Sequence, residues 1–409
     1  MQSSSASIEA FALSSQAAAD VDPYSDEFLA EPWDGLALIR EAGSALWLNR
    51  YGVWAIARHD DVMAALRDPD TYSSSHGVGL ADLAVGEPWR RPSILVEADP
   101  PQHTLNRKVV AGTMTPKALR SLEEVLAIAA VRMVDELLAR RTFDGVHDLA
   151  EPFPTDVFPR AFGIEITDET RRRLLDYGSL VFNGNGVQNE RFHAAIANAA
   201  ETIAWVTATC ARDALRPDGI GAAIHEAAEA AGLTPGDGAL LVRSFLSAGV
   251  DTTVSGIAFA LRNLAADRDQ WQLLRNDPSL TRNAFEETIR RESPVIGFFR
   301  MTTRPATVGD VEIPAGQKVL LFYAGANRDP RRWADPDHFD IRRKVSGHLG
   351  YGIGIHACVG MVIARMEGEA VLGALRERAQ RIEMTAPAVP RLNNSLRGLD
   401  SLPLVVEPV

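Results

Sequence analysis

The chain of 409 residues reads as a mainly α protein, a helix-rich body with a smaller β-rich region. Three observations predict this class. Apolar residues recur at helical spacing from about Asp60 onward, Pro235 to Ala266 forms one long helical stretch, and alternating segments broken by turn residues occur near 45–57 and 307–323. A composition of 46% hydrophobic and 23% charged residues suits a globular chain with a large core. No Pro/Gly/Ser-rich linker divides the middle, so residues 36–409 are expected to form one unit behind a partly irregular N-terminal segment, 1–35.

Taken in order, the Ser/Ala-rich start, Met1 to Ala19, is expected to fray, and a first helix lies near Leu36 to Ala42. Ala45 to Leu48 and Val53 to Ala57, split by Asn49-Arg50-Tyr51-Gly52, read as a hairpin. Helical spacing follows in Val62, Ala65 and Leu66, in Leu122 to Leu138, and in Leu174 to Val181. Between Thr71 and Asp99 the pattern lapses into Ser, Gly, Pro and charged residues, a length of loop that usually carries function, here as the cover of a pocket. Thr234-Pro235 opens the long helix as N-cap and first-turn proline, and the helix should span roughly 45 Å. Thr307 to Ile313 and Lys318 to Tyr323 read as strands around the turn Pro314-Ala315-Gly316. Internal repeats are absent from the sequence.

A net charge of −12 argues against nucleic acid or an anionic membrane as the main partner. The start lacks the basic and continuous apolar regions of a secretory signal, and no uninterrupted apolar run of about 18 residues occurs, so a cytoplasmic protein is expected. Two cysteines, Cys210 and Cys358, are too few for a disulfide framework or a zinc site.

Cys358 stands in Tyr351-Gly352-Ile353-Gly354-Ile355-His356-Ala357-Cys358-Val359-Gly360, three glycines around one thiol, directly before the apolar helical run Met361 to Leu375. An isolated cysteine is ordinarily a small core hydrophobe. The flanking residues point elsewhere: the segment resembles the haem-binding loop of the cytochrome P-450 family, Phe-x-x-Gly-x-x-x-Cys-x-Gly, with Tyr351 where the family has Phe. The resemblance implies the cytochrome P-450 fold, haem b (iron protoporphyrin IX) as cofactor, and Cys358 as its thiolate ligand, with Tyr351 and Gly352 packed beside it. A thiolate pushes electron density onto iron and favours O–O cleavage, and N–H groups at the following helix start stabilise its charge.

Further matches extend the resemblance from about Leu36 to the C-terminus. Glu287-Thr288-Ile289-Arg290 is similar to the family's structural Glu-x-x-Arg pair, completed downstream by Arg343. Asp99-Pro100-Pro101-Gln102-His103-Thr104-Leu105-Asn106-Arg107 resembles the family's propionate-binding helix, with His103 and Arg107 one turn apart, and Arg300 and His356 occupy the other matching positions. Ala248-Gly249-Val250-Asp251-Thr252-Thr253 interrupts a helix with a glycine, an acid and alcohols, a poor choice for stability alone. In the family this stretch lies over the iron; Thr252 would hold dioxygen and water and Asp251 would relay protons. A bland alternative is a kinked helix whose Thr252 bonds back to the carbonyl four residues earlier.

Ser244 precedes Thr252 by two turns, roughly 12 Å along a helix, about the length of a para-substituted aromatic acid. Arg243, Ser244 and Ser247, with Arg90, Arg91 and Ser93 from the long loop, suggest an anion-binding end; Phe182, Val295 and Phe298 supply apolar walls. This combination resembles the bacterial members that oxidise para-substituted benzoates, such as 4-methoxybenzoate, by hydroxylation or by O-demethylation with loss of formaldehyde. Asn183-Gly184-Asn185-Gly186 is unexpectedly polar and flexible for a pocket lining.

The chain therefore reads as a monooxygenase; the alternative is a peroxide-driven peroxygenase of the same fold, but such enzymes tend to lack the acid and alcohol of Asp251 and Thr252. A non-catalytic haem sensor would need no proton relay. The sequence carries no dinucleotide fingerprint, so a separate electron donor is expected; the resemblance implies an iron–sulfur ferredoxin with its NAD(P)H-dependent reductase, docking on the cysteine face of a monomer.

Overall fold

A computed structural model describes residues 16–85 and 88–409. The helical body is built from α1 (Gln102–Thr113), α2 (Pro116–Arg140), α3 (Asp168–Gly184), α4 (Pro235–Gly249), α5 (Asp251–Ala266), α6 (Thr281–Glu292) and α7 (Met361–Arg378), with shorter helices between them. Their starts are written locally. The Thr115 and Thr167 hydroxyls accept N–H bonds from Ala118 and Thr170, and Thr234 forms a reciprocal capping box with Asp237 ahead of Pro235. The largest of three apolar clusters among the described residues runs from Leu95 to Val406 and takes in α5, from which Ile257, Phe259 and Leu261 contribute side chains at most 1% exposed.

The five-stranded sheet comprises β1 (Leu46–Leu48), β2 (Val53–Ile56), β3 (Tyr72–Ser73), β4 (Gly297–Thr302) and β5 (Lys318–Phe322), in the order β1-β2-β5-β4-β3. Trp47 faces Trp54 across the hairpin, and β2 runs parallel to β5, with Ala55 beside Leu320. β4 places Arg300 opposite Val319. The sequence patterns missed β4 because its six residues are nearly all buried, which removes the alternation that marks a half-exposed strand.

Four expectations need correction. The stretch Pro235 to Ala266 is two helices interrupted at Val250 rather than one. A Cβ at Gly249 would lie 2.5 Å from the Phe158 ring, so close packing against the helix Pro152–Ala161 coincides with the interruption. Thr307 to Ile313 is a hairpin of Ala306–Val308 and Val311–Ile313 turning at Gly309, whose φ is +62°. At the start, residues 1–15 lie outside the described residues, but 16–19 are ordered: Ala18 is buried and the Ala19 carbonyl accepts from the Asn49 N–H at 3.0 Å. The first full helix begins at Trp33, ahead of the expected boundary at residue 36.

The one helical stretch among the described residues apolar and long enough to cross a membrane, Pro235–Ala266, is mostly buried inside the protein.

Candidate active site

The Cys358 loop lies between β5 and α7 and opens onto a large internal cavity. The atom-free space of the cavity and its open mouth together is roughly 1690 Å³.

Cys358 lines the cavity and its thiol is exposed to that empty space, although protein atoms surround it closely. Burial raises the thiol, and the N–H groups of Gly360 and Met361 at the start of α7 and the Arg107 cation oppose that rise. The Cys358 N–H donates to the Tyr351 carbonyl at 2.9 Å, closing the loop. Tyr351 and Gly352 both border the cavity, but the Tyr351 hydroxyl turns away from the sulfur to Glu286 at 3.5 Å. Glu286 also binds Arg365 at 2.6 and 2.8 Å and His348 at 3.1 Å, and it is held down to about 2, burial opposing these partners.

His103 and Arg107 from α1, Arg300 from β4 and His356 from the loop meet along one side of the cavity. Both ring nitrogens of His103 and Nε2 of His356 are buried without a partner, and the two rings lie 4.3 Å apart. Burial and the Arg300 cation push His356 down to about 3. Orphaned donors beside two guanidinium groups are costly unless an anion sits among them. Two carboxylates, as on the propionates of haem, suit this set of donors.

Above the sulfur loop, the interruption between α4 and α5 opens the groove seen by Ala248, Gly249 and Thr252. Thr252 Oγ1 donates to the Ala248 carbonyl at 2.6 Å, and Thr253 does the same to Gly249 at 2.9 Å. The back-bond named above as the bland alternative is thus present, and it leaves the hydroxyl oxygen of Thr252 free to accept from the cavity. Asp251 points the other way, toward α3, where its carboxylate occupies the space a Cβ at Gly178 would need. It is 4% exposed, its Oδ1 has no partner, and burial raises it to about 7, partly offset by Arg391. Arg391 itself binds Glu151 at 2.5 Å and Asp400 at 3.0 Å.

Glu367, on α7, escaped the sequence reading. It borders the cavity, both carboxylate oxygens are buried and unpartnered, and burial pushes it well above the usual carboxylate range. Nothing in the helical pattern Met361 to Leu375 marks this acid as inward-facing except its register with Ile363 and Val371, which are also buried.

The far end of the cavity carries charge. Arg243 is only 6% exposed, and among the described residues only its Nη2 is taken up, by the carbonyls of Arg91 at 2.8 Å and Pro92 at 3.3 Å. Arg90 also lines this end and is bidentate to Glu97 at 2.8 and 2.9 Å, a partner the loop sequence did not reveal because it has no regular register. Ser244 and Ser247 line the cavity; Ser93 stands behind Ser244, its hydroxyl 3.1 Å away. Arg91 is a correction: its side chain is 63% exposed and faces Asp237 at 3.6 Å, since a third guanidinium beside Arg90 and Arg243 would lack a buried counter-charge.

Phe182, Val295 and Phe298 form apolar walls. The polar run after Phe182 is close-packed, contrary to the flexibility expected of it. Cβ atoms at Gly184 and Gly186 would lie 2.3 Å from Trp89 and 2.4 Å from Asn394, and Asn183 bonds the Asn394 N–H at 3.1 Å.

Away from the cavity, Glu287 accepts from Arg290 at 2.7 and 2.8 Å and from Arg343 at 3.0 Å. Arg290 also donates to the carbonyls of Asn327 and Pro336, so this fully buried ion pair is saturated and fastens α6 to the segment before the cysteine loop.

The sequence profile of the family Cytochrome P450 matches residues 163–378. Cytochrome p450 CYP199A2 of Rhodopseudomonas palustris is 48% identical over 95% of this chain and 94% of its own length. Cytochrome P450 107B1 of Saccharopolyspora erythraea is 32% identical over 94% and 97%. Among solved structures, Cytochrome P450 CYP109Q5 from Chondromyces apiculatus superposes with a TM-score of 0.80 at 29% identity, covering 96% of this chain and 99% of that one.

Proposed function

This chain belongs to the cytochrome P450 family and is a haem-thiolate monooxygenase, and on that premise we propose that its substrate is a small para-substituted aromatic acid, hydroxylated or O-demethylated at the para group. Haem b, when bound, supplies the reductive activation of O2 by which one oxygen atom enters the substrate. Cys358 holds the metal in this proposal, while His103, Arg107, Arg300 and His356 bind the propionates.

The observation that carries the substrate class is the buried positive end of the cavity. Two guanidinium groups, Arg90 and Arg243, face one carboxylate, Glu97, leaving one positive charge beside the Ser244 and Ser247 hydroxyls. A substrate carboxylate balances that charge, and charge-assisted hydrogen bonds in a dry site orient it strongly. The opposite end of such a molecule then points along α4 toward its junction with α5, where Thr252 lines the same cavity. Phe182, Val295 and Phe298 exclude water from the ring between these ends. Thr252 accepts a hydrogen bond in the groove while its own proton is committed to Ala248, and Asp251, poised near neutrality, takes up and releases protons on the side of Arg391.

Electrons come, in this reading, one at a time from an iron–sulfur ferredoxin with an NAD(P)H-dependent reductase, in the cytoplasm. Product formed with that chain but not with hydrogen peroxide alone separates it from a peroxygenase. The substrate class is tested by titrating the haem-loaded protein with para-substituted benzoates and with neutral terpenes and steroids. A low-to-high spin shift is expected only with the acids, and loss of most of it in Arg243→Leu; a shift with the neutral compounds alone sinks the assignment.

A further inference from the structure

Lys318 opens β5 yet is only 9% exposed. Its Nζ donates to the main-chain carbonyls of His76 at 2.8 Å, Gly77 at 3.0 Å and Gly79 at 3.1 Å, which uses all three ammonium protons. The carbonyl between these, on Val78, turns to the Phe299 N–H of β4 at 2.9 Å, and the Leu80 N–H donates to the Asn185 carbonyl at 2.8 Å. Gly77 allows the curl, at a φ of +90° that a side chain would resist. The segment is therefore wound around one cation. Its product on the inner side is Val78, 3% exposed, which lines the substrate cavity.

Carbonyl dipoles converging on a point repel one another unless a positive charge sits there. Rings of such oxygens replace the hydration shell of monovalent cations, whereas divalent ions favour carboxylates. We propose that the carbonyls of His76, Gly77 and Gly79 form a monovalent-cation site, filled in this chain by the Lys318 ammonium, and that this internal cation positions the cavity wall at Val78. The site shares no residue with the haem and anion ends of the cavity and holds whether or not the substrate is an aromatic acid.

Removing the side chain leaves the cradle open to a free cation. In the haem-loaded protein, Lys318→Ala in choline chloride should exchange the amide hydrogens of Leu80 and Leu83 roughly tenfold faster than the parent. Potassium or ammonium chloride at equal ionic strength should restore the parent rates. Lys318→Met, whose thioether chain fills the passage without charge, should lose protection and regain none with either salt. Parent-like protection in both variants overturns the proposal, as does equal recovery in choline and potassium. Should the alanine variant lose haem in choline, return of the carbon monoxide Soret band with ammonium supports the site, and no return with any cation refutes it.

Discussion

Replacing Asp251 by Asn should make the protein more stable at neutral pH and less so in relative terms under acid. The carboxylate is buried with Oδ1 unpartnered, and burial raises it from 3.8 to about 7 in the fold. A group raised in this way is protonated in both states below about 3.8, where the fold bears no charge penalty. As pH rises from there to about 7, the unfolded chain ionises while the folded one holds its proton, and stability is lost at about 1.4 kcal/mol per pH unit. The cumulative loss approaches about 4 kcal/mol and then levels off. Asparagine has no proton to give, so its advantage over the parent should grow by about 2 kcal/mol between pH 5.5 and 7.5. The assay is the urea midpoint of the haem-loaded parent and variant at those two pH values, with the denaturant slope checked for constancy. Because the variant cannot relay a proton, substrate oxidation should fall by on the order of a hundredfold in the same preparation. A pH-independent difference in stability would show that Asp251 is ionised in the fold through an unseen partner, and the argument for its poise would fail.

Thr252→Ala should keep haem and the spin shift, since the Ala248 carbonyl can find water in the groove, but should divert reducing equivalents to hydrogen peroxide; product formed per NAD(P)H consumed measures this, and unchanged coupling removes Thr252 from the proposed chemistry. Gly184→Ala should cost about 1–3 kcal/mol, because its new methyl meets the Trp89 ring at 2.3 Å and must push apart the end of α3 and the loop that covers the cavity. Thermal unfolding followed at the Soret band checks it, and parent-like stability would mean that this junction yields freely.

Much of the site was legible because it depends on short-range patterns. The glycine-flanked cysteine, the one-turn spacing of His103 and Arg107, and the run Ala248 to Thr253 are each written in consecutive residues, and resemblance added their joint meaning. The interruption at Val250 was only half visible: a glycine signals weakness, but Phe158, ninety-one residues upstream of Gly249, supplies the contact there. Likewise the four glycine and asparagine residues after Phe182 look flexible in sequence. They are fixed by Trp89 and Asn394, which no local rule brings near.

The sequence by itself determined the helical body, the candidate sulfur ligand and the family, since periodicity, capping and motif spacing are properties of neighbours along the chain. Only the tertiary structure decided which charges lie inside. Arg243 is buried and Arg91 is not, Arg90 carries Glu97 with it, Glu367 faces the cavity, and Lys318 is wrapped in carbonyls. A charged side chain's role follows from its desolvation and its partners, and both are set by chain segments that meet only on folding.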